Sequence, residues 1–183
     1  MKKVLFVFAA LLAFSAFTVA EDHSKFDFYG GWTLTHYAPS ALDEGWTAWK
    51  GVGFSGCYYF HKNVGFVADF SWTSKHWADG DINQATWYFL GGPQFRFVEN
   101  DNVTPFFRVL FGWGRVSAAL YDGHAWYEGS EDKLAYGVGG GIDVKVSDNV
   151  SLRLAQVDYI RQTGDIVQGN VFRFGVGIVF NAR

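Results

Sequence analysis

The sequence has one cysteine and three prolines among its 183 residues, and it carries no excess of basic charge. A single cysteine excludes an internal disulfide and a zinc site built from several thiolates. The scarcity of proline excludes a proline-rich linker protein, and an aromatic content of 20% excludes intrinsic disorder, because so much aromatic surface must be buried. A formal net charge of −3 argues against nucleic acid as the main partner.

Long hydrophobic runs are equally rare. One such run, residues 4–14, follows two lysines and precedes small residues that end at Ala20. This order is typical of a secretory signal peptide, and the run is shorter than the ~20 residues that a membrane-spanning helix needs. We therefore expect residues 1–20 to be a signal peptide and residues 21–183 to be the mature domain. No later run is long enough for a membrane helix, so any membrane span must consist of strands.

The mature sequence alternates between bulky apolar residues and small or polar residues. In residues 172–180 every second residue is Phe, Val or Ile, and glycine or arginine fills most positions between them. A period of two residues predicts β-strands whose two faces meet different environments. Eight segments follow this pattern: residues 25–36, 49–60, 64–74, 85–98, 104–117, 133–146, 150–161 and 170–181.

Short connections between these segments alternate with long ones. The short connections, residues 61–64, 100–103 and 147–150, each place Asn directly before a β-branched residue, and Asn tolerates the backbone of a tight turn. The sequence therefore predicts an all-β, eight-stranded, antiparallel up-and-down barrel, with short turns at one end and long loops at the other. The long loops are predicted at residues 37–48, 75–84, 118–132 and 162–169.

Side-chain size decides which face of the predicted barrel lies inside. The apolar face would carry every phenylalanine of residues 21–183 except Phe106. The interior of an eight-stranded barrel is just wide enough for small side chains, so it could not hold this set. The other face carries glycine, serine, threonine and the charged residues of the strands. This arrangement favours a barrel embedded in lipid over a soluble barrel of the lipocalin type.

Charged residues on the inner face form a predicted polar network in the lumen. Its members are Asp27, Asp69, Arg96, Arg108, Asp143, Lys145, Arg153, Asp158 and Arg173. Their charges nearly balance, which favours ion pairs that plug the lumen over an open ion path. Counting outward from residue 148, the centre of the third turn, places Asp143 opposite Arg153 and Lys145 diagonal to it.

Strict alternation fails in the seventh segment. If it held after Arg153, Gln156 and Asp158 would face lipid, and a charge there costs up to a few kcal/mol. One extra residue near Ala155, a β-bulge, would return both side chains to the lumen. We therefore expect a bulge at residues 155–156.

The tryptophans lie toward the long-loop ends of the segments. Because indole rings prefer the level of the lipid headgroups, we expect an aromatic girdle formed by Trp32, Trp72, Trp87 and Trp113. The loop regions add further aromatic residues of contact-prone types, which we expect to be exposed. Binding of an extracellular ligand through the loops and simple membrane anchoring both remain open explanations for them: Trp46, Trp49, Trp77, Tyr121, Trp126 and Tyr127.

An apolar leader, eight amphipathic strands, short turns opposite long loops and a last strand ending in Phe resemble the small outer-membrane barrels of the OmpA and OmpX type. The sharpest motif is residues 173–180, which resembles the assembly signal of that family at Arg173, Gly175, Ile178 and Phe180. The three residues after Phe180 depart from the family pattern. The resemblance implies the outer membrane of a Gram-negative-type bacterium, with membrane lipid and the outer-membrane assembly machinery as partners.

We expect a monomer with a structural or surface-interaction role, without catalytic residues, cofactor or metal. Two alternatives stay open: a narrow porin, and an enzyme that hydrolyses or transfers lipid acyl groups. The enzyme would need a nucleophile beside a base, for which Ser74 and His76 are the nearest pair, with Glu44 or Asp79 as the orienting carboxylate. Their order differs from the His-x-Ser arrangement of the lipid deacylase barrels. Asp79, Asp81 and His76 would at most form a weak site for a divalent ion.

The terminal motif generates a prediction about assembly. Phe180→Ser should lower the amount of protein in the outer membrane and leave precursor or mature chain in the periplasm, because it alters the last position of the assembly signal. Phe97→Ser, at another apolar-face position, is the control. Unchanged outer-membrane levels of Phe180→Ser in a strain with active periplasmic proteases would contradict the prediction.

Overall fold

The chain forms one closed antiparallel sheet of eight strands. A computed structural model describes residues 25–39, 47–77, 82–97, 102–121, 126–163 and 169–182. Each strand pairs with its sequence neighbours, and the first strand also pairs with the last, which closes the barrel and confirms the predicted fold class. The strands are β1 (Phe26–Pro39), β2 (Thr47–His61), β3 (Val64–Trp77), β4 (Ile82–Arg96), β5 (Val103–Tyr121), β6 (Trp126–Ser147), β7 (Val150–Thr163) and β8 (Gly169–Ala182).

The two ends of the barrel differ as predicted where the structure describes them. At one end, here called the short-turn end, Lys62–Asn63 join β2 to β3 and Asp148–Asn149 join β6 to β7. The opposite end is called the loop end. The predicted signal peptide, residues 1–20, and the middle of the second short turn lie outside the described residues. No helix among the described residues is long and apolar enough to cross a membrane.

At the loop end the strands continue further than the apolar alternation predicted. The predicted loop 118–132 is largely a two-stranded ribbon, in which β5 and β6 stay paired as far as Tyr121 and Trp126. Alternation of apolar residues ends where a strand leaves the lipid, whereas backbone hydrogen bonding between strands can continue. The other three long loops are shorter than predicted for the same reason.

The apolar face points outward. Most of the phenylalanines assigned to that face are exposed, and Phe106 alone is buried inside at 5% exposure. The interior is less polar than predicted, because Tyr29, Tyr88, Leu90 and several other bulky residues also point inward. Glycines on the inner face make room for them. A Cβ atom on Gly114, for example, would lie 2.7 Å from the Tyr88 ring.

The predicted bulge in β7 is confirmed. Arg153 faces Gly177 and Gln156 faces Gly175, so two residues of β7, Leu154 and Ala155, stand opposite the single residue between those glycines. The ladder with β6 shifts at the same place. Leu154 and Ala155 both point outward and Gln156 is buried inside, as the cost of placing polar groups in lipid requires.

This geometry generates a prediction about two deletions. Removing Ala155 should leave a folded barrel, because the ladder then becomes regular and Asp158 still faces the lumen. Removing Val157 instead also lets the ladder become regular with Asp158 in the lumen, but it turns Gln156 toward lipid and breaks the hydrogen bonds of Gln156 with Arg153 and Asp158. This variant should therefore be less stable than the Ala155 deletion by about 1–3 kcal/mol. A closed barrel has no free edge strand and should resist unfolding in detergent until it is boiled, so loss of the boiling-dependent shift in gel mobility measures unfolding. Equal behaviour of the two deletions would contradict the prediction.

Candidate functional site

Four charged residues meet at the centre of the lumen, and we call them the central tetrad: Asp69 of β3, Arg108 of β5, Asp158 of β7 and Arg173 of β8. Their side chains are at most 3% exposed. Three of them share one row of the sheet, in which Arg108 stands opposite Gly139, Gly139 opposite Asp158, and Asp158 opposite Arg173. Asp69 of β3 lies outside this row and reaches both arginines through the lumen. The strands of this row present these side chains to the same level of the lumen.

Each carboxylate of the tetrad contacts both guanidinium groups. Arg108 donates to Asp158 through Nε at 2.8 Å and Nη2 at 2.7 Å, and through Nη1 to Asp69 at 3.1 Å. Arg173 donates through Nε to Asp158 at 3.0 Å, and its Nη1 lies 2.7 Å from Asp69 Oδ1. Nη1 also donates to Ser71 Oγ at 2.6 Å. Two positive and two negative charges therefore form a neutral, hydrogen-bonded unit, the arrangement that buried charges require.

A glycine makes this packing possible. A Cβ atom at Gly139 would lie 2.0 Å from Oδ1 of Asp158, the oxygen that accepts from Arg108 Nε. Any larger residue at this position would displace the carboxylate from the tetrad. The glycine-rich run in β6 is therefore part of the charged site.

A second group extends the network toward the short-turn end. The pair predicted from the turn forms: Arg153 faces Asp143 and donates to its two oxygens at 2.7 and 2.9 Å. Arg153 also donates to Gln156 Oε1 at 2.8 Å, and Gln156 donates to Asp158 Oδ2 at 2.9 Å. The Arg153 guanidinium covers the rings of Tyr29 and Phe106 at 4.6 and 4.2 Å from their centres. Gln156 thus joins this group to the tetrad.

A third group closes the short-turn end. Arg96 lies 3.6 Å from Asp27, donates through Nε to the carbonyl oxygen of Lys62 at 2.6 Å, and stacks over the Tyr59 ring at 3.8 Å. Asn181 donates to Asp27 Oδ1 at 2.9 Å, which ties β8 to β1 at this level.

One residue assigned to the lumen network lies elsewhere. Lys145 pairs with Asp148 of the third turn at 3.0 Å, and its side chain is 39% exposed. The ladder between β6 and β7 shifts between Lys145 and Ser147, at the rim of the barrel. The side chain therefore reaches the turn instead of the interior, and Asp143 serves Arg153 without it.

An apolar layer lies directly on the loop side of the tetrad, and sequence reasoning missed it. Leu110, Ile160 and Val171 each sit one inward position closer to the loop end than Arg108, Asp158 and Arg173, and all three are fully buried. Leu90 of β4 joins them in the same buried cluster. Beyond this layer, Gln162 donates to the hydroxyl of Tyr88. The sequence did contain a signal for this layer: Leu110, Ile160 and Val171 each lie two positions from a charged residue of the tetrad and therefore share its inner face.

The remaining predicted residues fall on both faces. Of the girdle tryptophans, Trp32, Trp72 and Trp113 are exposed on the outer face, and Trp87 is half-buried opposite Trp72. Trp49 was expected to be exposed, but it is buried at 6% exposure because its position on β2 has the parity of the inner face. In β8, Ile178 and Phe180 point outward while Arg173 and Gly175 point inward.

Of the candidate catalytic pair, the structure describes the side chain of Ser74 but not that of His76. Ser74 lies half-buried on β3 with the parity of the outer face, two residues from Trp72. The carboxylates Glu44 and Asp79, and with them Asp81, lie outside the described residues, as do Trp46 and the side chain of His76. No group of three His, Cys, Asp or Glu residues that could hold a metal ion occurs in the described part of the chain.

Comparison with known proteins assigns the family. The fold is shared by Ail, the attachment invasion locus protein of Yersinia pestis, with a TM-score of 0.65 and 19% sequence identity; the match covers 86% of this chain and 99% of Ail. It is also shared by Neisserial surface protein A, with a TM-score of 0.67 and 17% identity; that match covers 88% of this chain and 99% of the other. Ail is also solved in complex with the heparin analogue sucrose octasulfate. No curated protein matches the chain. The family model described as outer membrane protein beta-barrel domain matches residues 6–180, and the chain therefore belongs to this family of outer-membrane proteins.

Proposed function

We propose that this outer-membrane barrel is a non-enzymatic protein, exported by the signal peptide of residues 1–20, with a plugged lumen and a loop end that binds other molecules. The plugged lumen is supported by the side chains that fill the barrel from one wall to the other. The central tetrad is neutral and almost fully buried, and a layer of aliphatic residues covers it on the loop side. A charged solute would have to break the tetrad and then cross the apolar layer. This arrangement favours a plug over the narrow-porin alternative.

The plug generates a prediction about stability and conductance. Asp158→Asn leaves two arginines facing one carboxylate, and Arg108→Gln leaves the opposite imbalance, so each should destabilise the barrel by about 3–5 kcal/mol. The double variant restores neutrality and should lose clearly less than the sum of the two. Folding in lipid vesicles against urea, read as a double-mutant cycle, measures the coupling.

The exposed pair Arg115 and Asp132, 3.6 Å apart on the β5–β6 ribbon, is the matched control, and its coupling should stay below ~1 kcal/mol. Planar-bilayer recordings of the unmodified protein should show no steady large channels. Additive effects of the tetrad variants together with steady conductance would mean that the lumen is an open pore.

The charge of the loop end supports the binding role and indicates the chemistry of a partner. The four predicted long loops carry one lysine, Lys75, and no arginine. Two basic residues of the neighbouring strands are already engaged, since Lys133 pairs with Glu131 and Arg115 with Asp132. The acidic residues in those loops are Asp43, Glu44, Asp79, Asp81, Asp122, Glu128, Glu131, Asp132 and Asp165.

The β5–β6 ribbon presents part of this charge beyond the neighbouring strand. Pairing of β6 with β7 begins only at Leu134 and Thr163, so residues 126–133 extend past the described part of β7. Ail is solved in complex with a heparin analogue, sucrose octasulfate, but the acidic loop end of this chain would repel such a polyanion. We therefore propose a basic protein or peptide segment as the partner of the loop end.

A binding experiment tests the proposed partner class. The folded protein in lipid nanodiscs should bind a polylysine peptide with an association rate that falls steeply with salt, and it should not bind heparin. The variant Asp79→Asn/Asp81→Asn/Glu128→Gln should associate roughly tenfold more slowly at low salt. The matched control is Glu99→Gln/Asp101→Asn/Asp148→Asn at the short-turn end. Heparin binding, or equal rates for both triple variants, would contradict the proposal.

A further inference from the structure

The outer surface is hollowed where the β7 bulge leaves the sheet. The hollow has a volume of about 380 Å³, which is within the range of ~300–1,000 Å³ typical of ligand sites. Its walls are side chains of β1, β7 and β8 that point away from the lumen, and these are exposed: Trp32, Leu154, Val157, Phe174 and Val176. Ala155, the second residue of the bulge, contributes only a methyl group to the lining.

The hollow lies in a surface that faces hydrocarbon. Because the bilayer core holds no water, an apolar hollow of this size must be filled by an acyl chain or by another protein. A second hollow of about 440 Å³ lies on the same face between Phe28, Phe54 and Phe70, but its lining has no basic residue, so of the two hollows the one at the β7 bulge offers a partner for a charged headgroup. A chain seated in the hollow contacts atoms on several sides, and these dispersion contacts add up to a preference for one position.

One charged residue lines the hollow, and it lies at the edge nearer the loop end. Lys50 of β2 is exposed on the outer face, with Leu34 of β1 as its direct neighbour. Lys50 and Leu34 begin a row of paired residues on the outer face. The row continues through Phe174 of β8 to Val157 of β7. Lys50 is close to the loop end of β2, whereas Val157 is near the middle of β7, so the row passes from the level of the headgroups into the hydrocarbon.

We propose that this hollow is a binding site for one lipid with an anionic, phosphate-bearing headgroup, whose acyl chain lies along the row and whose phosphate pairs with Lys50, and phosphatidylglycerol serves as the probe for this chemistry. A lysine on a lipid-facing surface extends its ammonium group toward the interface, where a phosphate neutralises it. The bulge holds the apolar part of the ligand and Lys50 selects the headgroup. This assignment depends on the outward face and the bulge, and is independent of any partner at the loop end.

Native mass spectrometry tests the site. The folded protein is released from detergent containing equal amounts of phosphatidylglycerol and phosphatidylcholine with the same acyl chains. The unmodified chain should retain one phosphatidylglycerol molecule. Lys50→Gln should lower the preference for phosphatidylglycerol about fivefold, because one basic residue near the interface is lost. Ala155→Phe, which fills the hollow, should abolish retention of both lipids.

Matched controls separate the site from general effects on the barrel. Lys62→Gln removes a lysine at the first short turn, and Ala68→Phe adds the same ring to the second outer-face hollow, which Ala68 of β3 lines. Both should retain phosphatidylglycerol as the unmodified chain does. The boiling-dependent shift in gel mobility shows that every variant is folded.

Three results would overturn the assignment. Equal retention of the two lipids by the unmodified chain would mean adventitious contact without headgroup recognition. Undiminished retention by Ala155→Phe would place the lipid elsewhere. A dimer that Ala155→Phe dissociates would identify a second copy of the chain as the occupant.

Discussion

The ion pairing of the central tetrad is the interaction on which the remaining architecture depends. Four charges lie within a barrel whose outer surface faces hydrocarbon, and they are tolerated because each carboxylate contacts both guanidinium groups. Keeping Asp158 in this unit requires the β7 bulge, which corrects the alternation of that strand. It also requires a residue without a side chain at Gly139, next to the Asp158 carboxylate. The bulge in turn creates the hollow on the outer face.

Much of this architecture could be predicted because lipid imposes a strict rule on every strand. Alternation placed nearly every phenylalanine outside and Phe106 inside, and the cost of a carboxylate in lipid was enough to locate the bulge near Ala155. Symmetry about the third turn likewise placed Asp143 opposite Arg153. These predictions succeed because side-chain period and hairpin register are local properties of a strand pair.

The failures fall where that rule no longer applies. At the loop side the predicted strands were too short, because the part of a strand that lies outside the lipid needs no apolar face. Lys145 reaches the third turn because the ladder is irregular at the barrel rim. Trp49 and the buried layer of Leu110, Ile160 and Val171 were missed because size was read as evidence for the outer face. A large residue fits inside only where glycines on other strands leave room for it, and the sequence of one strand pair does not show where those glycines lie.

The position of Arg173 in the last strand has a consequence for the order in which the chain can become stable. Asp69, Arg108 and Asp158 all precede β8, and together they carry one unbalanced negative charge. Only β8 supplies the cation that neutralises it, and the same strand closes the sheet against β1. A nascent barrel that lacks β8 therefore has an open edge at β1 and also lacks the positive charge that balances the tetrad. Completion of the chain resolves both defects in a single step.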